Sequence, residues 1–286
     1  MTQIISSLLD YSSHYDVYFI DLWGLTHNGK EPFPSAIDVF KKLKEQGKTL
    51  IVISNAPRVP DMVRHLLKTN MNIDTDQLFD SIITSGLVCR QHIEKKYKGQ
   101  KLYHIGPERD FNLYENLCES VPLNEADFVL LTGTEGWETS TADFTEVLTE
   151  IAHLRLPVLC ANADKYVYIG DSKYICAGAL AAQYQEITKN LNLKDGTDLI
   201  IFGKPYPEVF DLAMQEAAHF QTHLDKNRII MLGDSLDTDI AGANQYGIHS
   251  LFTHSGVHKN ESWDALEVKM EEPNLNPIFS IQGCLK

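Results

Sequence analysis

The feature that most constrains this chain is the recurrence of short, continuous apolar runs, each of strand length and each ending on polar residues. Val17-Tyr18-Phe19-Ile20 runs into Asp21, and Thr49-Leu50-Ile51-Val52-Ile53 runs into Ser54-Asn55. Leu199-Ile200-Ile201-Phe202 leads to Gly203-Lys204-Pro205, and Arg228-Ile229-Ile230-Met231-Leu232 leads to Gly233-Asp234. His249-Ser250-Leu251-Phe252 reads as a further strand. A strand without polar alternation is buried on both faces, as in parallel sheets covered by helices. Helical patterns fill the gaps. Ser35 reads as the cap of a helix carrying Ile37, Val39, Phe40 and Leu43, with Gly47 as its stop. Pro207-Glu208 reads as the start of another, carrying Val209, Phe210, Ala213 and Met214. These runs predict an α/β fold with a doubly wound, Rossmann-like parallel sheet.

The middle of the chain differs. Strand candidates fall at 102–105, 128–131, 157–160 and 166–169, with no evident phosphate-type loop at their ends. The predicted organisation is a core of residues 1–86 and 198–286, with 87–197 inserted as a second α/β domain and crossings near Ser85 and Asp198. One continuous domain of 286 residues is the other reading.

Composition excludes several function classes. The net charge of −14 argues against a nucleic-acid partner, which needs a basic face, and against docking on an anionic membrane. At 43% hydrophobic and 22% charged residues the chain reads as globular. No apolar run approaches the ~20 residues that cross a bilayer, and the first residues lack the basic start and apolar stretch of a signal peptide. The five cysteines are scattered, form no Cys-x-x-Cys pair and have no histidine at zinc-ligand spacing. Reduced thiols in a cytoplasmic protein, without zinc, are expected.

In a doubly wound sheet, residues just beyond the carboxyl ends of the strands converge although they lie far apart in sequence. Here they are Asp21, Ser54-Asn55, Lys204, and Asp234 with Asp239. Two or three carboxylates can hold a hard cation such as magnesium, a lysine brings positive charge to a phosphoryl oxygen, and a serine hydroxyl bonds another. Singly, each has an ordinary reading as a helix cap, a turn or a solvated charge; together, and in this order, they read as one site.

At these residues the sequence resembles the haloacid dehalogenase superfamily of aspartate-nucleophile enzymes. The motifs are Asp21-Leu22-Trp23-Gly24, Ser54-Asn55, Gly203-Lys204-Pro205 and Gly233-Asp234-Ser235-Leu236-Asp237-Thr238-Asp239. The long insertion between the second and third resembles the cap of the class IIA branch, whose members act on nitrophenyl, sugar and nucleotide phosphates. Within it, Asn162-Ala163-Asp164 and Gly178-Ala179-Leu180 are similar to elements of that branch.

The resemblance implies a magnesium-dependent hydrolase of small phosphorylated metabolites. Asp21 would attack phosphorus to give an aspartyl-phosphate, assisted by Lys204 and Ser54. Magnesium would be held by Asp21, Asp234, the backbone carbonyl of Trp23, and Asp239 either directly, through water or as the orienter of Lys204. Asn55, Arg58, Asn162 and Asp164 are candidate substrate contacts; Asp61 is an alternative partner for Arg58. Gly178 and the loop aromatic Trp137 are further candidates to face the cleft, and caps of this branch leave a homodimer open. Asn28-Gly29 signals a hairpin flap over the site.

The departure is Trp23. Phosphatases of the superfamily carry an aspartate there, which protonates the leaving oxygen and then activates water. An indole offers a single N–H donor and transfers no proton near neutrality. The chain is then a phosphatase with another proton donor, for which His27 is a candidate, or one restricted to good leaving groups, or one whose aspartyl-phosphate turns over slowly. The alternative is a catalytically inactive magnesium- and phosphate-binding regulatory module on the same fold.

Overall fold

The computed structural model describes residues 2–136, 138–193 and 198–286. In chain order the strands are β1 (Gln3–Ile4), β2 (Val17–Ile20), β3 (Thr49–Ser54), β4 (Ser81–Thr84), β5 (Lys101–Ile105), β6 (Glu119–Ser120) and β7 (Phe128–Leu131). They continue with β8 (Val158–Cys160), β9 (Tyr166–Ile169), β10 (Ser172–Ile175), β11 (Leu199–Ile201), β12 (Ile229–Gly233), β13 (His249–Thr253) and β14 (Phe279–Ile281).

Seven strands form a first sheet in the order β1-β14-β13-β12-β2-β3-β4, every neighbouring pair parallel. Both faces are covered, as the apolar runs require. On β2, Tyr18 and Ile20 point into one core cluster while Val17 and Phe19 point into another. Leu50 and Val52 on β3 join the former, and Ile51 and Ile53 the latter. The doubly wound α/β expectation holds.

A second sheet, β11-β8-β7-β5-β6, is also wholly parallel, and β9 and β10 pair as a separate antiparallel hairpin. One apolar cluster is continuous from Phe19 and Ile51 of the first sheet to Phe128 and Leu159 of the second. The two sheets therefore share packed core rather than meeting across polar surface.

Several local expectations are corrected. Leu199–Ile201 does not extend the first sheet; it pairs with β8 in the second, so the chain leaves that sheet only at Phe202-Gly203. Ser35 is not the helix cap: the helix is Pro34–Glu45, with Phe33 at the cap position and Pro34 in the first turn, where a missing N–H costs nothing. The strands β1, β4, β6, β10 and β14 carry no signal that sequence reading used; each is short, and all but β10, which pairs with the adjacent β9, find their partners farther away along the chain. The turn after Asn28 places Gly29 and Lys30, not Asn28 and Gly29, at its centre. Asn28 N–H donates to the Glu31 carbonyl at 3.1 Å, and Gly29 has φ +86°.

Candidate active site

The strand order of the first sheet reverses direction between β2 and β12, whose exits lie side by side with Ile20 opposite Leu232. A crevice forms at such a switch point, and here it brings Asp21 and Asp234 together. Asp239 reaches back from the turn that follows: its Oδ2 accepts the backbone N–H groups of Asp234 and Ser235, both at 3.1 Å. One carboxylate oxygen from each of Asp21, Asp234 and Asp239 lies within 4.8 Å of the others.

Lys204 enters from the other side. Its Nζ lies 2.6 Å from Asp21 Oδ1 and 2.7 Å from Asp239 Oδ1, and donates to the Ile53 carbonyl at 2.8 Å, with only 1% of the residue exposed. Burial disfavours the ammonium, but the three carboxylates Asp21, Asp239 and Asp164 outweigh it and hold the Lys204 pKa above its usual value. Asp21 is pushed up to about 7 by burial, against the pull of Lys204. Asp234 is raised well above the carboxylate range by burial and by its acidic neighbours.

With all groups ionised, three carboxylates against one ammonium leave two negative charges in a buried site, which a divalent cation would balance. Asp21 Oδ2 is buried with no hydrogen-bond partner, an arrangement that suits an oxygen awaiting a ligand. Backbone clearance points the same way. A Cβ on Gly256 would lie 1.8 Å from Asp234 Oδ2, and one on Gly24 2.2 Å from the same atom. The residues present fit an oxygen-coordinated ion such as magnesium.

Asp21, Trp23, Ser54, Asn55, Arg58, Lys204, Asp234 and Asp239 all line one cavity of about 460 Å³. It lies between the carboxyl ends of both sheets, because Arg109 and Asp110 after β5, Thr132 and Thr134 after β7, and Asn162 and Asp164 after β8 line it too. Asn55 braces the two walls: its Oδ1 accepts the Lys204 N–H at 2.7 Å, while its Nδ2 donates to the Lys204 carbonyl at 3.0 Å and to Asp164 Oδ1 at 2.8 Å. Ser54 Oγ accepts the Ala56 N–H, leaving its hydroxyl hydrogen for a ligand. Asn162 Oδ1 accepts the Asp164 N–H at 2.8 Å.

Other sequence assignments change. Arg58 pairs with Asp110 at 3.2 Å, across the cleft, and not with Asp61. Gly178 does not line the cavity; it lets its helix pack on the preceding loop, since a Cβ there would sit 2.3 Å from the Ala163 carbonyl. His27 is neither an exposed turn residue nor a cavity residue. It is buried, its Nδ1 accepts the Gly29 N–H, and burial lowers its pKa to about 4. Trp137 lies outside the described residues. Trp23 faces the cavity, but its indole N–H is committed to the Tyr168 carbonyl at 2.8 Å.

Sequence reading missed the segment after β13. Ser255 Oγ donates to the Gly24 carbonyl at 2.6 Å, and the Val257 N–H donates to Asp234 Oδ2. The run 249–252 reads as a strand in the sequence, and the strand-exit rule applied to it points to this segment.

Residues 18–117 match the family model for haloacid dehalogenase-like hydrolases, and residues 201–275 match a second HAD-like hydrolase model. The crystal structure of a haloacid dehalogenase-like hydrolase from Brucella suis is 30% identical, with a TM-score of 0.84 and coverage of 97% of this chain and 98% of that one. The 5'-nucleotidase YutF of Bacillus subtilis is 26% identical over 86% of this chain and 90% of its own length. A glycerol phosphate phosphatase from Mycobacterium tuberculosis, solved in complex with magnesium, is 23% identical with a TM-score of 0.67, covering 94% of this chain and 75% of that one.

Proposed function

Since the chain belongs to the haloacid dehalogenase-like hydrolases and fits their class IIA branch, we propose that it is a magnesium-dependent phosphatase of small phosphate monoesters, working through an aspartyl-phosphate on Asp21. The carrying observation is the state of the Asp21 carboxylate: Oδ1 is fixed by Lys204, while Oδ2 is buried in the cleft without a partner. Lys204 thus fixes the orientation of the carboxylate and leaves Oδ2 open to whatever enters the cleft, as a nucleophile beside a metal requires.

Magnesium at Asp21, Asp234 and the Trp23 carbonyl would screen the repulsion between the carboxylate and a phosphate dianion. Asp239 has both oxygens engaged, one by Lys204 and one by the Asp234 and Ser235 amides, and its part is to hold the ammonium and the Asp234 turn in place. Lys204 steadies the nucleophile and offers charge to a phosphoryl oxygen. Ser54 donates to another. Arg58, Asn162 and the loops of the second sheet, which act as a cap in this reading, would hold the rest of a phosphorylated metabolite. A cytoplasmic setting agrees with the five free cysteines, and among the described residues no helix is long and apolar enough to cross a membrane.

Release of phosphate from nitrophenyl phosphate with magnesium tests this reading. Asp21→Asn is expected to lower the rate by at least ~10³-fold, since the variant lacks the nucleophile. The commitment of the Trp23 indole to Tyr168 favours one second reading, a binding module without turnover. Magnesium and phosphate would then raise the melting temperature while no ester is hydrolysed.

A further inference from the structure

A phosphatase of this kind must protonate its leaving oxygen and deprotonate its water, and position 23 supplies no group for either task. The titratable side chains near the nucleophile are mostly committed elsewhere. His27 is buried outside the cavity. His258 uses both ring nitrogens: Nε2 accepts the Leu236 N–H at 3.2 Å and Nδ1 pairs with Glu261. Asp110 gives Oδ1 to Arg58, which compensates its charge, and keeps a buried Oδ2 without a partner, while Lys259 is tied to the Gly170 carbonyl and Asp171 of the β9–β10 turn.

Asp164 is different. It sits on the loop leaving β8 and lines the same cavity as Asp21 and Trp23. Its backbone is fixed at both ends, the N–H on Asn162 Oδ1 and the carbonyl by the Gly178 N–H at 3.1 Å. Its Oδ1 takes the Asn55 amide, and Asn55 in turn holds both backbone groups of Lys204, whose ammonium grips Asp21. A rigid chain of contacts thus runs from the Asp164 carboxyl to the nucleophile. Resting on the phosphatase reading above, the geometry points to Asp164, from the inserted segment, as the proton donor and acceptor of the reaction in place of the missing acid at position 23.

In the first step an Asp21 oxygen bonds to phosphorus, the ester P–O bond breaks, and the Asp164 proton passes to the departing alkoxide. In the second, a water oxygen bonds to phosphorus, the Asp21–phosphorus bond breaks, and Asp164 takes the proton from water. Phosphate leaves and both carboxyl groups return to their starting states. Burial raises Asp164 to about 6, against the pull of Lys204 and the Asn55 hydrogen bond, so it exchanges a proton readily near neutrality. Lys204, Asp21 and Asp239 are the charged groups that act on it from the first sheet.

The test compares wild type and Asp164→Asn, with magnesium, on nitrophenyl phosphate and an alkyl phosphate such as glycerol phosphate. Nitrophenolate departs without protonation. The variant should therefore keep its first, stoichiometric burst of nitrophenolate within ~5-fold, then stall as acid-quenched aspartyl-phosphate accumulates, while kcat/KM for the alkyl ester falls ~10²–10⁴-fold. Asp164→Ala, with the alkyl rate partly restored by added formate, gives an independent readout should the asparagine variant fold poorly. An equal fall in the first step for both esters, or no formate rescue, overturns the assignment while the phosphatase reading stands. If wild type hydrolyses neither ester, the phosphatase reading fails and takes this inference with it.

Discussion

Glycine positions around the three carboxylates are as restrictive as the acids themselves. A methyl at Gly256 would overlap Asp234 Oδ2 and lie 2.6 Å from the Gly24 Cα, so Gly256→Ala is expected to abolish both activity and the magnesium-induced rise in melting temperature, and to lower the metal-free melt as well. Calorimetry with and without magnesium reads this directly. Lys204 is the converse case. It neutralises buried acids, and Lys204→Met strands them, because its Nζ is the shared partner of Asp21 and Asp239. Removing one partner of a buried ion pair costs about 3–5 kcal/mol. Urea unfolding in EDTA should show a loss of that order, and activity should vanish.

At the scale of elements, the β9–β10 hairpin packs Ile175 into the core of the second sheet and is tied to the first-sheet side of the cleft by three polar contacts. Trp23 donates to the Tyr168 carbonyl, Lys259 Nζ donates to the Gly170 carbonyl, and the same ammonium lies 3.1 Å from Asp171. Trp23 is itself braced, with the His27 ring edge-on at 5.0 Å and Gly29 so close that a Cβ there would lie 2.4 Å from the indole. Trp23→Phe keeps an aromatic ring but loses the indole N–H together with the second ring. The Tyr168 carbonyl then lacks its donor, at a cost of about 1 kcal/mol. Hydrogen exchange should speed up across residues 166–175 while β2 and β12 are unchanged. Equal exchange throughout the two proteins would show that the indole does not hold the hairpin.

Over the whole molecule, stability should respond to pH through buried His27. Its folded pKa is about 4 against 6.5 for a free imidazole, because burial disfavours the charged ring. Above pH 6.5 the ring is neutral in both states and its contribution is complete. As pH falls from 6.5 toward 4 the unfolded chain takes up a proton that the folded one resists, and stability declines by up to about 1.4 kcal/mol per pH unit. Asp21 and Asp164, raised by burial, push the other way, since protonation relieves them in the fold. Those carboxylates are common to wild type and His27→Gln, so the difference between the two in urea midpoint at pH 7 and pH 5 isolates the histidine. The variant should lose less on acidification. The sequence by itself determined the parallel pairing of the strands at 17–20, 49–54 and 229–233 and the convergence of Asp21, Ser54 and Asp234, because both follow from local rules: apolar runs buried on two faces, and loops at strand ends. Only the tertiary structure decided that Leu199–Ile201 belongs to the second sheet, that Arg58 meets Asp110, and that the Trp23 indole is spent on Tyr168. Each depends on a partner between about 40 and 150 residues away, and neither periodicity nor spacing encodes which strand, charge or carbonyl a residue will meet across such a distance.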